Sequence, residues 1–381
     1  MFKICVCGGG HIGHTVAAIA GRNPSVSVSL LTRRPHEFAS AIDVQYRDTF
    51  YFGGELSRVT DDPQEAVRDA DLVILTVPAF ARARILENIA PFVRADTWVA
   101  SIPANGGFSW QAAQALKRTT YLFGFQRTPW VSRVKISGGV VNVMGVRDRV
   151  VVSGYPKKPL AKLAAQLSSL LGFEIQLSDT PLCIPLGLAN PTFHSARLYS
   201  LFSESLECEQ PSYFYAQWDD KASHTLLKLD DELLAVRQAL NVRDAVTVKA
   251  HFGIETCQEL TRAIRSINTL HSIKSPLVFD GGCWRADTRS RFFEEDLSYG
   301  LLVQKAIAEI AGVDTPTIDK VLTWDYTARK QQYFSKGKLC LKCCHALPIP
   351  QNFGLHTKEQ LLNPNPLFSD QVTHDANTAF S

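Results

Sequence analysis

No apolar run in this 381-residue chain reaches the ~18–20 residues that a bilayer crossing requires. Charge of one sign is not in excess either. Forty lysines and arginines against 37 aspartates and glutamates leave +3, where a dedicated nucleic-acid binder would carry a strong basic surplus or stripe. Repeats and low-complexity tracts are absent. With 45% apolar and 20% charged residues, 23 glycines and 19 prolines, wholesale disorder, collagen and coiled coil are excluded. The nine cysteines are odd in number and scattered, which fits reduced thiols better than a disulfide framework. Residues 1–21 resemble a secretion signal only superficially. Their apolar stretches are short, glycines and histidines interrupt them, and no cleavage pattern follows. A folded, cytoplasmic chain that binds neither membrane nor nucleic acid is expected.

At ~100–200 residues per domain, the length predicts two domains. The first, residues 1–180, reads as an α/β unit, a doubly wound Rossmann-type sheet. Phe2–Cys7 is a strand, Gly8-Gly9-Gly10-His11-Ile12-Gly13 a glycine turn, Thr15–Ala20 an apolar helix and Val26–Leu31 a second strand. In such a G-x-G-x-x-G unit Gly8 permits the tight turn. Gly10 lets the backbone approach a pyrophosphate, and Gly13 lets helix pack on strand. The helix N-terminus offers free N–H groups and a positive dipole end to the phosphates. Gly8, Gly10, His11, Ile12 and Gly13 are therefore candidate cofactor-binding residues, although a glycine turn without ligand would read the same. His11 and His14 are equally compatible with mere packing.

At the end of the second strand an NAD enzyme usually carries an acid for the ribose hydroxyls. Here Thr32-Arg33-Arg34 follow Leu31, and the first acid is Glu37. Two guanidinium forks suit a 2′-phosphate, so NADP(H) is expected as the preferred cofactor, with NAD(H) admissible. The competing reading makes both arginines solvated surface charges. Asp71–Val77, Thr97–Ile102, Tyr121–Phe125, Val140–Val143 and Arg149–Ser153 continue as strands, and Pro159–Leu171 as a helix. Loops at the carboxyl ends of such strands face the ligand crevice. That places Pro78, Asn105 and the segment Gln126–Thr128 near the nicotinamide half of the cofactor.

From residue 181 to 381 long helical patterns take over: Lys221–Leu240, Thr256–Thr269, Asp296–Ala311 and Thr315–Tyr333. Thr315 fits an N-cap and Pro316 the first helical position. Glu294, Glu295 and Asp296 fit a first turn, where acids complement the dipole. A mostly α-helical second domain is expected, with the active site in the cleft between the two. The tail beyond Gly337 reads as mostly loop.

Asn190-Pro191-Thr192-Phe193-His194 resembles the N-P-x-x-H segment of the octopine/nopaline (opine) dehydrogenase family, and Arg291-Phe292-Phe293-Glu294-Glu295-Asp296-Leu297-Ser298-Tyr299-Gly300 is similar to its R-x-x-x-x-D-x-x-x-G element. The glycine motif, Gln126–Pro129, Tyr215–Asp220 and Ile349–Gly354 also look like family segments, so the resemblance runs over nearly the whole chain. It implies reductive condensation of an amino acid with a 2-keto acid through an imine. His194 would be the general acid/base, Asp296 its partner, and Arg291 the carboxylate anchor, with Gln126 and Asn190 further substrate-binding candidates. Pro191 would hold the histidine loop rigid. The chemistry is reasonable for these side chains. Free histidine titrates near ~6.5, a carboxylate on its far nitrogen fixes the tautomer, and arginine binds a carboxylate through two parallel hydrogen bonds.

Taken singly, His194 reads as a structural histidine and Arg291/Asp296 as a surface pair. Their order behind a dinucleotide-binding unit is what favours catalysis. A reductase of a keto acid or polyol without an amine, and a non-catalytic dinucleotide-binding protein, remain the alternatives. The cluster Cys340, Cys343, Cys344, His345 has one closely spaced cysteine pair and no second, so no metal is expected. A homodimer is compatible with the sequence, which does not decide it.

Overall fold

A computed structural model of the chain describes residues 1–46, 50–117, 121–335 and 337–363. Its main sheet has eight strands: β1 (Phe2–Cys7), β2 (Val26–Leu31), β3 (Arg58–Thr60), β4 (Leu72–Leu75), β5 (Trp98–Ser101), β6 (Leu122–Phe125), β7 (Arg149–Tyr155) and β8 (Glu174–Leu177). Their spatial order is β8-β7-β6-β5-β4-β1-β2-β3. All neighbours run parallel except β6 and β7. Every residue of β4, β5 and β6 is buried, as expected of central strands covered on both faces, and that is why they read as unbroken apolar runs. The winding reverses at β1, which has β2 on one side and β4 on the other. A crevice opens above the carboxyl end of the strand at such a point, and there the chain enters its glycine loop.

The helix after that loop, α1 (His11–Gly21), is apolar nearly all round because it is covered twice. It packs on β1 and β2 and also on a second sheet, whose strands Phe50–Glu55, Ala41–Tyr46, Val140–Val146 and Trp130–Ile136 stand in that order. Alanines 17, 18 and 20 keep the layers close. The second sheet is a departure from the sequence reading, which assigned Val140–Val143 to the Rossmann series and passed over residues 41–55. Alternating apolar residues predict a strand but not its partner. Val140–Val146 in fact pairs with Ala41–Tyr46, about a hundred positions earlier in the chain.

A helix after β4, α2 (Ala79–Ile89), faces the second half of the chain. There α3 (Asn190–Phe202) and α4 (Asp220–Ala239) pack side by side. Helix α4 is the hub, touching α3 and the helices Cys257–Arg265, Leu302–Ala311 and Pro316–Arg329. Its buried Leu226, Leu229, Leu233 and Val236 recur at the three- and four-residue spacing of one helical face. Residues 291–311 form one helical run, Arg291–Phe293 and Leu302–Ala311 flanking a wider π-helical stretch, Glu294–Leu301.

Several expected boundaries shift. The helix expected over residues 256–269 ends at Arg265, and Asn268–Leu270 is a separate 3₁₀ turn. Thr315 stands at the N-cap position without capping. Its hydroxyl accepts from Lys305 Nζ (3.1 Å), while the Glu232 carboxylate takes the amides of Thr317 and Ile318 (2.6 and 2.9 Å). The helical half also holds an unexpected hairpin, Leu277–Asp280 with Cys283–Ala286. Within the tail, Pro350–Phe353 and Lys358–Leu362 are short helices, and residues 364–381 lie outside the described residues. No helix among the described residues is long and apolar enough to cross a membrane.

One contact ties α1 to the sheet. A Cβ on Gly13 would lie 1.8 Å from the carbonyl oxygen of Gly8, a backbone atom with no room to yield. Gly13→Ala is therefore expected to lower stability by roughly 1–3 kcal/mol, the cost of overpacking, with a matching fall in the urea midpoint. An unchanged midpoint would contradict so tight a helix–strand contact.

Candidate active site

The N-terminal end of α1 is built for an anion. Gly8 turns the chain at φ +120°, and Gly10 caps the helix with no side chain and no acid in the first turn. Gly10 has an ordinary φ of −88°, and a Cβ there would meet nothing within 4 Å. Backbone geometry and protein packing therefore do not call for glycine at this position. The open space in front of the free helical amides fits a dinucleotide pyrophosphate.

Both histidines of the loop are hydrogen-bonded within the protein. The His14 ring is buried, donates from Nδ1 to the Gly10 carbonyl and accepts at Nε2 from the Gly138 amide, both at 2.9 Å. These partners fix a neutral tautomer, and burial pushes the ring's pKa down. His11 accepts at Nδ1 from the Val134 amide (3.0 Å), and its pKa is lowered by burial and then by the Arg133 charge. Ile12 packs into the core beneath the helix.

At the end of β2, the expected pair of phosphate-binding arginines is split. Arg34 Nη1 donates to Glu37 Oε1 at 2.9 Å, and Glu37 also accepts from Ser137. Arg33 is exposed and has no carboxylate partner among the described residues. Thr32 stands beside Gly9.

In the helical half, His194 lies on α3 rather than on a loop. Pro191 starts that helix, a position that suits its fixed φ and missing N–H. The imidazole is 7% exposed, held between Phe214 and Phe292 with ring centroids 5.3 and 4.8 Å away. Its Nδ1 is 2.6 Å from Asp296 Oδ2, and its Nε2 is 2.6 Å from the Tyr215 hydroxyl. A close helix crossing brings the pair together. A Cβ on Gly300 would stand 2.5 Å from Pro191, so only glycine lets the π-helical stretch approach the start of α3. Burial raises the Asp296 carboxyl above the usual carboxylate range, and His194 opposes the shift. Burial also raises the Tyr215 phenol, with the nearby charges of Arg147 and Arg133 acting against it.

Arg291 reaches its neighbour Glu295 with Nε (2.9 Å) and Nη2 (2.5 Å), while Glu295 Oε1 accepts from the Ala79 amide at the start of α2 (3.0 Å). Arg291 and buried Glu295 thus bridge the two halves directly beside Pro78. The Nη1 edge of Arg291 carries no partner among the described residues, and its side chain is exposed.

Two other candidates sit differently from expectation. The amide nitrogen of Gln126 donates to the Cys183 carbonyl (2.9 Å), buried at the junction of the halves. Asn105 is turned onto fully buried Arg82, whose guanidinium holds the Asn105 and Pro103 carbonyls and Asn105 Oδ1. Asn190 is exposed at the first turn of α3. Sequence reasoning missed Tyr215, Glu295 and Arg82. Tyr215 lay in a family-like segment, but nothing local says that its hydroxyl meets His194. Glu295 read as a dipole-complementing acid.

Residues 178–329 match the family model described as NAD/NADP octopine/nopaline dehydrogenase, alpha-helical domain, and residues 3–118 match that of the NAD-dependent glycerol-3-phosphate dehydrogenase N-terminus. A tauropine dehydrogenase of Arabella iricolor is 25% identical over 397 residues, with 95% of this chain and 100% of that protein covered. An octopine dehydrogenase of Mizuhopecten yessoensis is 28% identical over 395 residues, covering 94% and 98%. The solved structure of an octopine dehydrogenase in complex with NADH and agmatine has the same fold. The TM-score is 0.83 at 24% identity, over 98% of this chain and 100% of that one.

The buried Asp296 makes a thermodynamic prediction. Its pKa in the folded chain is raised above the unfolded value of ~3.9, so its contribution is fully present below that value and is lost as pH rises through the folded pKa. Asp296→Asn does not titrate. The melting temperature of the variant should therefore gain on wild type between pH 4 and pH 7. A gap that stays constant or narrows would contradict the burial penalty.

Proposed function

We propose that the chain is an opine dehydrogenase, an NAD(P)H-dependent oxidoreductase acting on CH–NH groups that joins an amino acid to a 2-keto acid, a reading supported by the match of residues 178–329 to the octopine/nopaline dehydrogenase helical domain and by relatives 25% and 28% identical over nearly the whole chain. The observation that carries this reading is His194, held between Asp296 and Tyr215 by two 2.6 Å hydrogen bonds. A histidine with a carboxylate on Nδ1 is oriented and stabilised as imidazolium, while Nε2 is left to exchange a proton.

Condensation forms a C–N bond between amine and ketone and expels the ketone oxygen as water. Protonated His194 donates from Nε2 to that oxygen, and the Tyr215 hydroxyl holds the same nitrogen until substrate displaces it. The Asp296 carboxylate meets the positive charge while the ring carries it. Arg291 takes the keto acid's carboxylate on its Nη1 edge, with Glu295 fixing the opposite edge of the guanidinium. When bound, the dinucleotide supplies the hydride that reduces the imine carbon. Gly8, Gly10 and the N-terminus of α1 would hold its pyrophosphate, with Gly13 keeping α1 against the strand. Arg33 and Thr32 would face its adenosine ribose and would favour a 2′-phosphate, Arg34 being engaged by Glu37.

His194→Ala should lower kcat by ~10² or more, the scale of a lost general acid/base, with product mass reporting the new N–C bond in wild type. Tyr215→Phe should cost less and should alter the pH–rate profile. A wild-type rate in the alanine variant, or oxidation of NAD(P)H by keto acid without any amine, would sink the reading.

The cofactor arm is separate. Wild type should prefer NADPH, and Arg33→Ala should remove more of that preference than Arg34→Ala, with little change in kcat/KM for NADH. A wild type that prefers NADH would leave both arginines as surface charges.

A further inference from the structure

Most inner arginines of this chain are matched by a carboxylate. Arg197 pairs with Asp219, Arg237 with Asp230 and Arg329 with Asp325. Fully buried Arg82 feels the charge of Glu295. Half-buried Arg127 and exposed Arg147, side by side, have no such match. Arg127 leaves the carboxyl end of β6 and donates from Nε to the Leu188 carbonyl, just ahead of α3. Arg147 follows the strand Val140–Val146. Its amide bonds the Pro129 carbonyl (2.8 Å) and its Nε the Thr128 carbonyl (3.2 Å), so it lies against the loop that carries Arg127. Neither has a carboxylate partner among the described residues. Among the described residues only carbonyl oxygens meet their Nε groups, and their Nη groups have no partner.

His251, exposed in the short helix Val248–Phe252, lies within reach of both charges. Phe252 beside it packs on Phe193, the neighbour of His194, at 6.1 Å between centroids. Burial, and then the charges of Arg127 and Arg147, push His251 down to about 4. Burial and the charge of Arg147 bring Arg127 down to about 10. Arg147 also acts on Tyr215, which touches His194 Nε2. Two unmatched cations therefore stand beside a neutral imidazole on the Tyr215 side of the proposed proton donor.

We propose that Arg127 and Arg147, with His251, form a second anion subsite, so that one of the two condensing substrates carries an additional carboxylate. Its identity as a substrate subsite rests on the condensation reading. The charge pattern opposes a substrate that presents a distal cation here, such as arginine. The extra acid group can arrive on either partner, an acidic amino acid or a dicarboxylic keto acid, and the two sources are separable by experiment.

The first arm compares kcat/KM for aspartate and glutamate with alanine, each against pyruvate, and for oxaloacetate and 2-oxoglutarate with pyruvate, each against alanine. One slot should favour the diacid by ~10-fold or more, and that slot identifies the source. In Arg147→Gln, and again in Arg127→Gln, the diacid-to-monoacid ratio should collapse, because kcat/KM falls much further for the diacid. Arg68→Gln, the same charge change at a remote exposed site, should leave the ratio unchanged. Turnover of monoacid pairs with no diacid preference in either slot would overturn the subsite while leaving the condensation reading intact.

The second arm needs no turnover. Glutarate binding, followed by calorimetry, should weaken ~10-fold or more in Arg147→Gln but not in Arg68→Gln. Absent or unaffected glutarate binding would overturn the proposal, whereas Arg147-dependent binding without any amine-dependent turnover would support the subsite and remove the condensation reading.

Discussion

The hydrogen bond between His194 Nδ1 and Asp296 Oδ2 joins residues 102 positions apart, and much of the second half is arranged so that it can form. A carboxylate removed from water is costly unless it is partnered, and here burial raises Asp296 while the imidazole opposes the shift. The compensation is geometric. Pro191 starts α3, Gly300 removes the side chain that would hold the two helices apart, and the π-helical turn re-aims Asp296. Wider helical turns of this kind concentrate at functional sites because they cost regular hydrogen bonding.

The two halves meet through polar contacts that also shape the site. Glu295 caps α2 through the Ala79 amide while gripping Arg291, Arg127 holds the Leu188 carbonyl, and Gln126 holds Cys183. Arg82 fastens the loop after β5 from within. A shift of one half against the other would thus move Arg291 and the start of α3 together with the crevice above β1. The geometry of the candidate site and the seating of the halves are a single constraint here, since the Glu295 carboxylate serves both.

Charge is distributed unevenly over this junction. On the Arg291 side a carboxylate balances the cation and leaves one edge of the guanidinium for a ligand. On the Arg127 and Arg147 side carbonyl oxygens orient the guanidiniums without neutralising them. Orientation without neutralisation prepares a site for an anion that arrives from outside, because no internal partner must first be displaced.

The glycine loop and its anion-binding helix end, the unbroken apolar strands and the helical second half were legible in the sequence because they depend on local pattern: spacing of glycines, period of apolar residues, and strands buried on both faces. The pairing of His194 with Asp296 was legible only through resemblance, since no local rule joins positions 194 and 296. Pairing partners, by contrast, belonged to the tertiary structure. It placed Val140–Val146 in a second sheet, turned Gln126 and Asn105 inward, divided Arg33 from Arg34, and brought Tyr215 onto His194. Alternation specifies that a segment is a strand, and residue type specifies what a side chain can do. Which groups come within hydrogen-bonding distance is set by how the helices and sheets pack, and that is a property of the whole chain.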